Sequence, residues 1–323
     1  MKVSQATDRP IPQEINLVKL IDRFGSEDRC REYLVHLRWP DGVRCPNCGF
    51  DKISRIGWTD KPGGKKGRRQ FDCNSCRSRF SVTAGTVFHD SHLPLWKWFL
   101  ATYMMIEAKK GVSSNQLRRT LGVSYKTAWY LCHRIRWAMH EAEPTPLTGN
   151  VEADETWIGG KSTRGRRRAY ENKTMVLGAI QRGGKIRLRV EGRGIPQATK
   201  LMLHRFIDVA VADGAEAIYT DQHVGYTGIG DENTRHEAVD HSAEEWVRGD
   251  VSTQSIESAW SLFKRSIVGS YHRLSAKHLP AYLDEFSFRF DNRENPYLFR
   301  DTLLKLLSAD VLRYSELTGA IRA

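Results

Sequence analysis

Four residues in the second half of this 323-residue chain, Asp154, Asp221, Glu257 and Lys264, have the side chains that phosphodiester cleavage by two metal ions requires. In that chemistry each Mg²⁺ takes oxygen ligands, and a bridging carboxylate holds the two ions about 4 Å apart. One ion activates the attacking hydroxyl and the other stabilises the leaving oxygen. The carboxylates must therefore converge from separate elements. Asp154 lies within Val151-Glu152-Ala153-Asp154-Glu155-Thr156-Trp157-Ile158-Gly159-Gly160, and Asp221 closes the apolar run Ala217-Ile218-Tyr219-Thr220. Glu257 precedes Lys264 by seven residues. On a helix that is two turns, so Lys264 shares the face of Glu257 and would hold a phosphate beside the metals.

Taken singly, each acid reads as a solvated surface carboxylate. Taken together they do not, because Asp154 and Asp221 interrupt or end runs of β-branched and aromatic residues, where an unpaired carboxylate is costly without a cation. Glu152 and Glu155 are rivals to Asp154. Strand alternation puts Glu152 on the face of Asp154 and turns Glu155 away.

The elements that must position these side chains can be read from periodicity. Residues 150–158, 174–181 and 185–191 read as strands, the last two joined at Gly183-Gly184. A helix is expected over 198–211, a strand over 216–220, a further strand over 236–239, and a helix over 255–267. In the last helix Ile256, Phe263 and Ile267 form an apolar stripe, with Trp260 beside Glu257 and Lys264. Three strands, a helix, two strands and a helix is the order of a ribonuclease-H-like core.

Upstream the composition changes. The net charge is +12, and residues 1–150 carry 25 Lys/Arg against 14 Asp/Glu, whereas residues 151–323 carry 25 against 24. A basic half favours a polyanion partner, since Lys and Arg gain affinity by displacing counterions from phosphates. No stretch is long and apolar enough for a membrane span or a signal peptide, so a soluble, cytoplasmic, nucleoid-associated protein without membrane partners is expected.

All six cysteines lie at or before Cys132, and four form the pairs Cys45-x-x-Cys48 and Cys73-x-x-Cys76, separated by 24 residues. Two such knuckles suit a structural, tetrahedral Zn²⁺, with 53–57 and 69–72 as strands of a zinc ribbon. Cys30 and Cys132 read as buried small residues. Lys65, Lys66, Arg68 and Arg69 occupy a Gly-rich loop between the knuckles that suits close approach to a phosphate backbone, and Arg166, Arg167 and Arg168 form a second basic cluster.

Residues 113–131 read as a helix-turn-helix with Gly122 in the turn and Ser124 capping the second helix. Tyr125, Lys126 and Thr127, with Arg134 farther on, are expected to face the major groove. The fold class is thus α+β and multidomain. Residues 17–88 form a helical lead-in and zinc ribbon, 89–142 the helix-turn-helix region, 143–149 a Pro-rich linker, 150–295 the α/β catalytic domain, and 296–323 a helical tail.

The chain resembles bacterial insertion-sequence transposases of the DDE type that carry an N-terminal zinc ribbon. The likeness rests on Arg38-Trp39-Pro40-Asp41-Gly42 with Cys45-Pro46-Asn47-Cys48, on Glu152 to Lys161, Thr220-Asp221, Asp240-His241-Ser242, Ile256 to Arg265, Gly269-Ser270-Tyr271-His272 and Glu285 to Phe290. It implies recognition of terminal inverted repeats on double-stranded DNA, strand cleavage by water, and joining of the freed 3′-hydroxyl to target DNA. It also implies two Mg²⁺ or Mn²⁺ ions and a homo-oligomer assembled on DNA. Asp154, Asp221 and Lys264 match the family's catalytic positions. Relatives carry Asn where this chain has Gln254, so Gln254 competes with Glu257 as third ligand, and His241 is a further candidate. The competing function is a catalytically impaired DNA-binding regulator derived from a transposase.

Overall fold

The computed structural model describes residues 15–57, 69–160, 169–240 and 247–319. Helices α1 (Leu17–Phe24) and α2 (Glu27–Arg38) precede three short strands, β1 (Ile53–Ile56), β2 (Gln70–Cys73) and β3 (Arg79–Phe80). Helices α3 (Leu95–Glu107), α4 (Ser114–Leu121) and α5 (Tyr125–Met139) follow. Next come β4 (Asn150–Gly159), β5 (Lys173–Gln181), β6 (Ile186–Arg193), α6 (Lys200–Ala210), β7 (Ala217–Asp221) and β8 (Arg235–Val239). The hairpin β9 (Val247–Arg248) and β10 (Val251–Ser252) leads into α7 (Gln254–Ser266), α8 (Leu279–Asp291), α9 (Leu298–Ser308) and α10 (Tyr314–Thr318).

The chain forms two compact units, one of Met1–Glu107, Ser114–Met139 and Asn295–Ala323, the other of Ala108–Ser113 and His140–Glu294. In the first, side-chain caps start three helices, the one at Ser124 as expected. Asn16 Oδ1 accepts from Lys19 N at 2.9 Å, Ser26 Oγ from Arg29 N at 3.3 Å and Ser124 Oγ from Thr127 N at 3.1 Å, each satisfying an orphan donor of its helix. Gly122 takes φ +60°, which makes the turn between α4 and α5. The core is aromatic: Phe24 lies 4.9 Å from Tyr33 and 5.1 Å from Phe99, and Phe99 lies 5.8 Å from Phe299, centroid to centroid.

Phe299 belongs to α9, so the segment expected as a tail from residue 296 is a core helix of this unit. Its buried Phe299, Leu303 and Leu306 require a packing partner, and α2, α3 and α5 supply it. The 143–149 linker differs from expectation too. Leu147 is fully buried, its N–H donates to Ala210 O at 2.8 Å, and its carbonyl accepts from Ala212 N at 2.8 Å. The prolines around it mark an extended edge segment of the second unit rather than a free connector.

The second unit is built on a five-stranded sheet of order β6-β5-β4-β7-β8. β6, β5 and β4 pair antiparallel, and β4, β7 and β8 pair parallel. Gly183, at φ +68°, turns the β5–β6 hairpin, and the parallel step from β6 to β7 needs the α6 crossover. Leu203, Phe206 and Ile207 of α6 cover one face with Val151 and Ala153. Ile256, Trp260 and Phe263 of α7, with Leu283 and Phe286 of α8, cover the other. Among the described residues no helix is long and apolar enough to cross a membrane.

Candidate functional site

Alternation along β4 sorts its acids. Glu152, 1% exposed, points to α7, where Oε2 accepts from Ser255 N at 2.7 Å and Ile256 N at 3.1 Å, and Oε1 from Ser255 Oγ at 3.0 Å and Arg182 Nε at 2.8 Å. Thr253, the residue at the cap of α7, makes no side-chain capping bond. A carboxylate from β4 therefore satisfies the orphan N–H groups at the positive end of the helix. Arg182 completes the clamp, donating to Ser252 O and Oγ at 3.1 and 3.0 Å with its guanidinium 4.4 Å over the Tyr219 ring.

Two residues on, Asp154 meets the next turn of α7, and its Oδ2 accepts from Trp260 Nε1 at 3.0 Å. Asp154 opens with Glu155, Glu257, Trp260 and Lys264 onto one cleft, and neither Asp221 nor Gln254 is among the residues lining it. Glu257 Oε1 accepts from Thr253 Oγ1 at 2.8 Å. Parallel pairing of Glu152 with Tyr219 brings the middle of β4, where Asp154 lies, alongside the carboxyl end of β7, which Asp221 closes. Asp221 Oδ1 accepts from His223 N at 3.1 Å. Glu155 faces the α6 side, as alternation predicts, with Oε2 accepting from Tyr226 OH at 2.9 Å.

Burial, and then the charges of Glu155, Asp221 and Glu257, push the Asp154 carboxyl up from 3.8 to about 8. Burial and the Asp221 charge likewise raise Glu155. The cluster thus has a surplus of negative charge, and a divalent cation is the group that would reverse these shifts. Among the described residues the acids do not converge as one ligand set; Asp154 accepts from the facing helix, Asp221 from the loop after β7 and Glu257 from the residue that precedes α7.

The cysteines do converge. Cys45 and Cys76 sulfurs lie 3.6 Å apart, Cys48 and Cys73 sulfurs 3.6 Å apart, and all four are within 4.8 Å of one another. Tetrahedral Zn–S bonds of about 2.3 Å put sulfurs about 3.8 Å apart, so this set fits Zn²⁺. Each knuckle is closed by a backbone bond, Gly49 N to Cys45 O at 2.8 Å and Arg77 N to Cys73 O at 2.9 Å. The closing residues take matching left-handed φ of +74° and +57°. Ser78 N–H and the Asn47 amide draw the Cys76 thiol down to about 6, toward the thiolate a metal needs, while desolvation and the facing sulfurs push Cys48 up.

Residues 25–79 match the transposase zinc-ribbon domain and residues 146–291 the ISXO2-like transposase domain. A protein of the transposable element ISH50 from Halobacterium salinarum is 31% identical over 289 residues, spanning 83% of this chain and 92% of that one. The chain belongs to the ISXO2-like transposases. Solved structures similar to this transposase include a pre-cleavage Mos1 transpososome, with TM-score 0.28, 11% identity, and 65% of this chain and 75% of that one covered. The Mos1 strand transfer complex aligns with TM-score 0.30, 12% identity, and 65% and 74% coverage.

In the helix-turn-helix of the transposase, Tyr125, Lys126 and Thr127 are exposed on the first turn of α5, with Lys126 Nζ 4.5 Å over the Tyr314 ring of α10. Arg134 is a correction. It is 4% exposed, donates to His89 O at 2.6 Å, and lies over the Trp98 and Tyr130 rings at 5.0 and 5.2 Å, because that side of α5 packs into the unit. Arg69 is another: it donates to Glu32 at 2.8 Å and pairs with Asp28 at 3.2 Å, pinned to α2 by two acids of that helix. Lys65, Lys66, Arg68, Arg166, Arg167, Arg168 and His241 lie outside the described residues. Neither the anchoring by Glu152 and Arg182 nor the indole bond to Asp154 was read from the sequence. The signal was Glu152 on the face of Asp154 and Trp260 on that of Glu257.

Proposed function

We propose that this transposase binds the terminal inverted repeats of its element, cleaves DNA there by water, and joins the freed 3′-hydroxyl to target DNA. The observation that carries the reading is the cleft where Asp154 opens beside Glu257 and Lys264, with its carboxyl raised by burial and then by neighbouring negative charge. Asp154, Asp221 and Glu257 would hold two divalent cations, Mg²⁺ or Mn²⁺. When bound, the cations supply the Lewis acidity that activates the attacking hydroxyl and stabilises the leaving oxygen. Lys264, one turn beyond Trp260, neutralises and seats the scissile phosphate. Glu257 is favoured over Gln254 as third ligand because it carries a charge that, like that of Asp221, acts on Asp154.

Tyr125, Lys126 and Thr127 supply base-edge and phosphate contacts from the start of α5. The zinc ribbon adds a second DNA-binding element, and a homo-oligomer brings two ends together. Incubation of the protein with DNA carrying the element's ends and Mg²⁺ tests this. Nicks at the ends and joined products are expected, both absent for Asp154→Ala. Cutting by Asp154→Ala at the wild-type rate would remove Asp154 from the site. End binding without cutting by the wild type would identify a catalytically impaired regulator instead.

A further inference from the structure

Trp260 is 4% exposed, and a buried indole N–H needs an acceptor. The one it has is Asp154 Oδ2, at 3.0 Å. The ring is seated in a gap in β5. Gly178 is the register partner of Asp154, and a Cβ there would fall 2.4 Å from Trp260 Cζ2 and 2.6 Å from Cη2. Gly178 lies in regular extended backbone that any residue adopts, so its missing side chain serves the space under the indole rather than a turn. Trp260 also lies one turn from Glu257 on one side and one turn from Lys264 on the other. Seating the ring therefore fixes the rotation of α7 that brings both side chains to the cleft.

We infer that Trp260 is a positioning residue for the divalent-cation site, its indole N–H fixing the orientation of the Asp154 carboxylate. This rests on the proposed role of Asp154 as a ligand. The chemistry suits the task. A neutral donor orients the carboxylate without cancelling the charge that attracts a cation, whereas Lys or Arg in its place would compete with the metal.

The test is direct Mn²⁺ binding by the zinc-supplemented full-length protein, followed by paramagnetic resonance, for wild type, Trp260→Phe, Gly178→Ala and Asp154→Ala. Trp260→Phe keeps an aromatic ring and loses only the donor. It should weaken Mn²⁺ binding about tenfold, the lower end of what supporting hydrogen bonds to ligands contribute. Gly178→Ala keeps the donor but displaces the ring, and should weaken binding in the same direction. If circular dichroism shows that Trp260→Phe does not fold, Gly178→Ala decides the question. Wild-type Mn²⁺ affinity in the folded variants, with binding lost in Asp154→Ala, overturns the role of Trp260 alone. Wild-type affinity in Asp154→Ala overturns the metal site and this inference with it.

Discussion

In the zinc ribbon four sulfurs stand within 4.8 Å of one another, whereas the carboxylates of Asp154, Asp221 and Glu257 are each held by a hydrogen-bond donor and do not form one ligand set. The difference follows from how each set is assembled. A Cys-x-x-Cys knuckle closes on its own backbone within five residues, so two sulfurs are placed locally and one strand pairing brings in the other two. The acids come from β4, the end of β7 and the first turn of α7, and like charge opposes their approach. A preformed soft-ligand set suits a metal that holds a fold. An electrostatically unfinished acidic cleft suits metals that arrive with substrate.

The largest expected effect breaks the preformed side. Cys73→Ser, or removal of zinc by a chelator, should unfold the ribbon, since structural zinc sites in small modules contribute apparent binding energies of about 10–16 kcal/mol. Loss of the corresponding amide signals in a two-dimensional NMR spectrum checks this. An unchanged spectrum after zinc removal would mean that Phe71 and Phe80, stacked at 5.5 Å, hold the ribbon without metal.

On the unfinished side, Asp154→Asn should cut strand cleavage at least about a thousandfold, on the order of 4 kcal/mol of activation free energy. The same substitution has a signature in stability. With its carboxyl at about 8 rather than 3.8, the folded chain keeps a proton that the unfolded chain has lost. The stability linked to this group is complete below 3.8 and is lost as pH rises through about 8. Without added magnesium, the thermal midpoint should fall across that window in the wild type and fall less in Asp154→Asn. Equal slopes would remove Asp154 from the electrostatics of the cleft.

Glu152 tests the scaffold beneath the acids. Glu152→Ala leaves Ser255 and Ile256 N–H and Arg182 without their acceptor, and should cost about 3 kcal/mol in denaturant unfolding. A cost below about 0.5 kcal/mol would mean that α7 is seated by its apolar face alone. Smallest is the contrast within α5. Lys126→Ala should lower the salt slope of DNA binding by about one, whereas Arg134→Ala should lower the thermal midpoint and leave that slope unchanged. A change of slope in Arg134→Ala would return that residue to the DNA-facing surface.

Much of this architecture was legible in the chain. The four cysteines, the cap at Ser124, the turn at Gly122 and the strand order up to β8 are local signals, and the structure reproduces them within a few residues. The short hairpin of β9 and β10 was not read, because two-residue strands leave no periodicity. Arg69 and Arg134 looked like DNA contacts because a basic residue in a basic segment carries no mark of the acids and rings that will cover it.

By itself, the sequence determined which side chains are available for chemistry and on which face of a strand or helix each stands, since the periods of strand and helix are properties of the local backbone. Only the tertiary structure decided which acid is spent on holding the fold and which opens on the cleft. Glu152 and Asp154 share a face of β4. The pitch of α7 across that face brings backbone N–H groups to the first and an indole to the second. That division depends on where a helix a hundred residues away comes to rest.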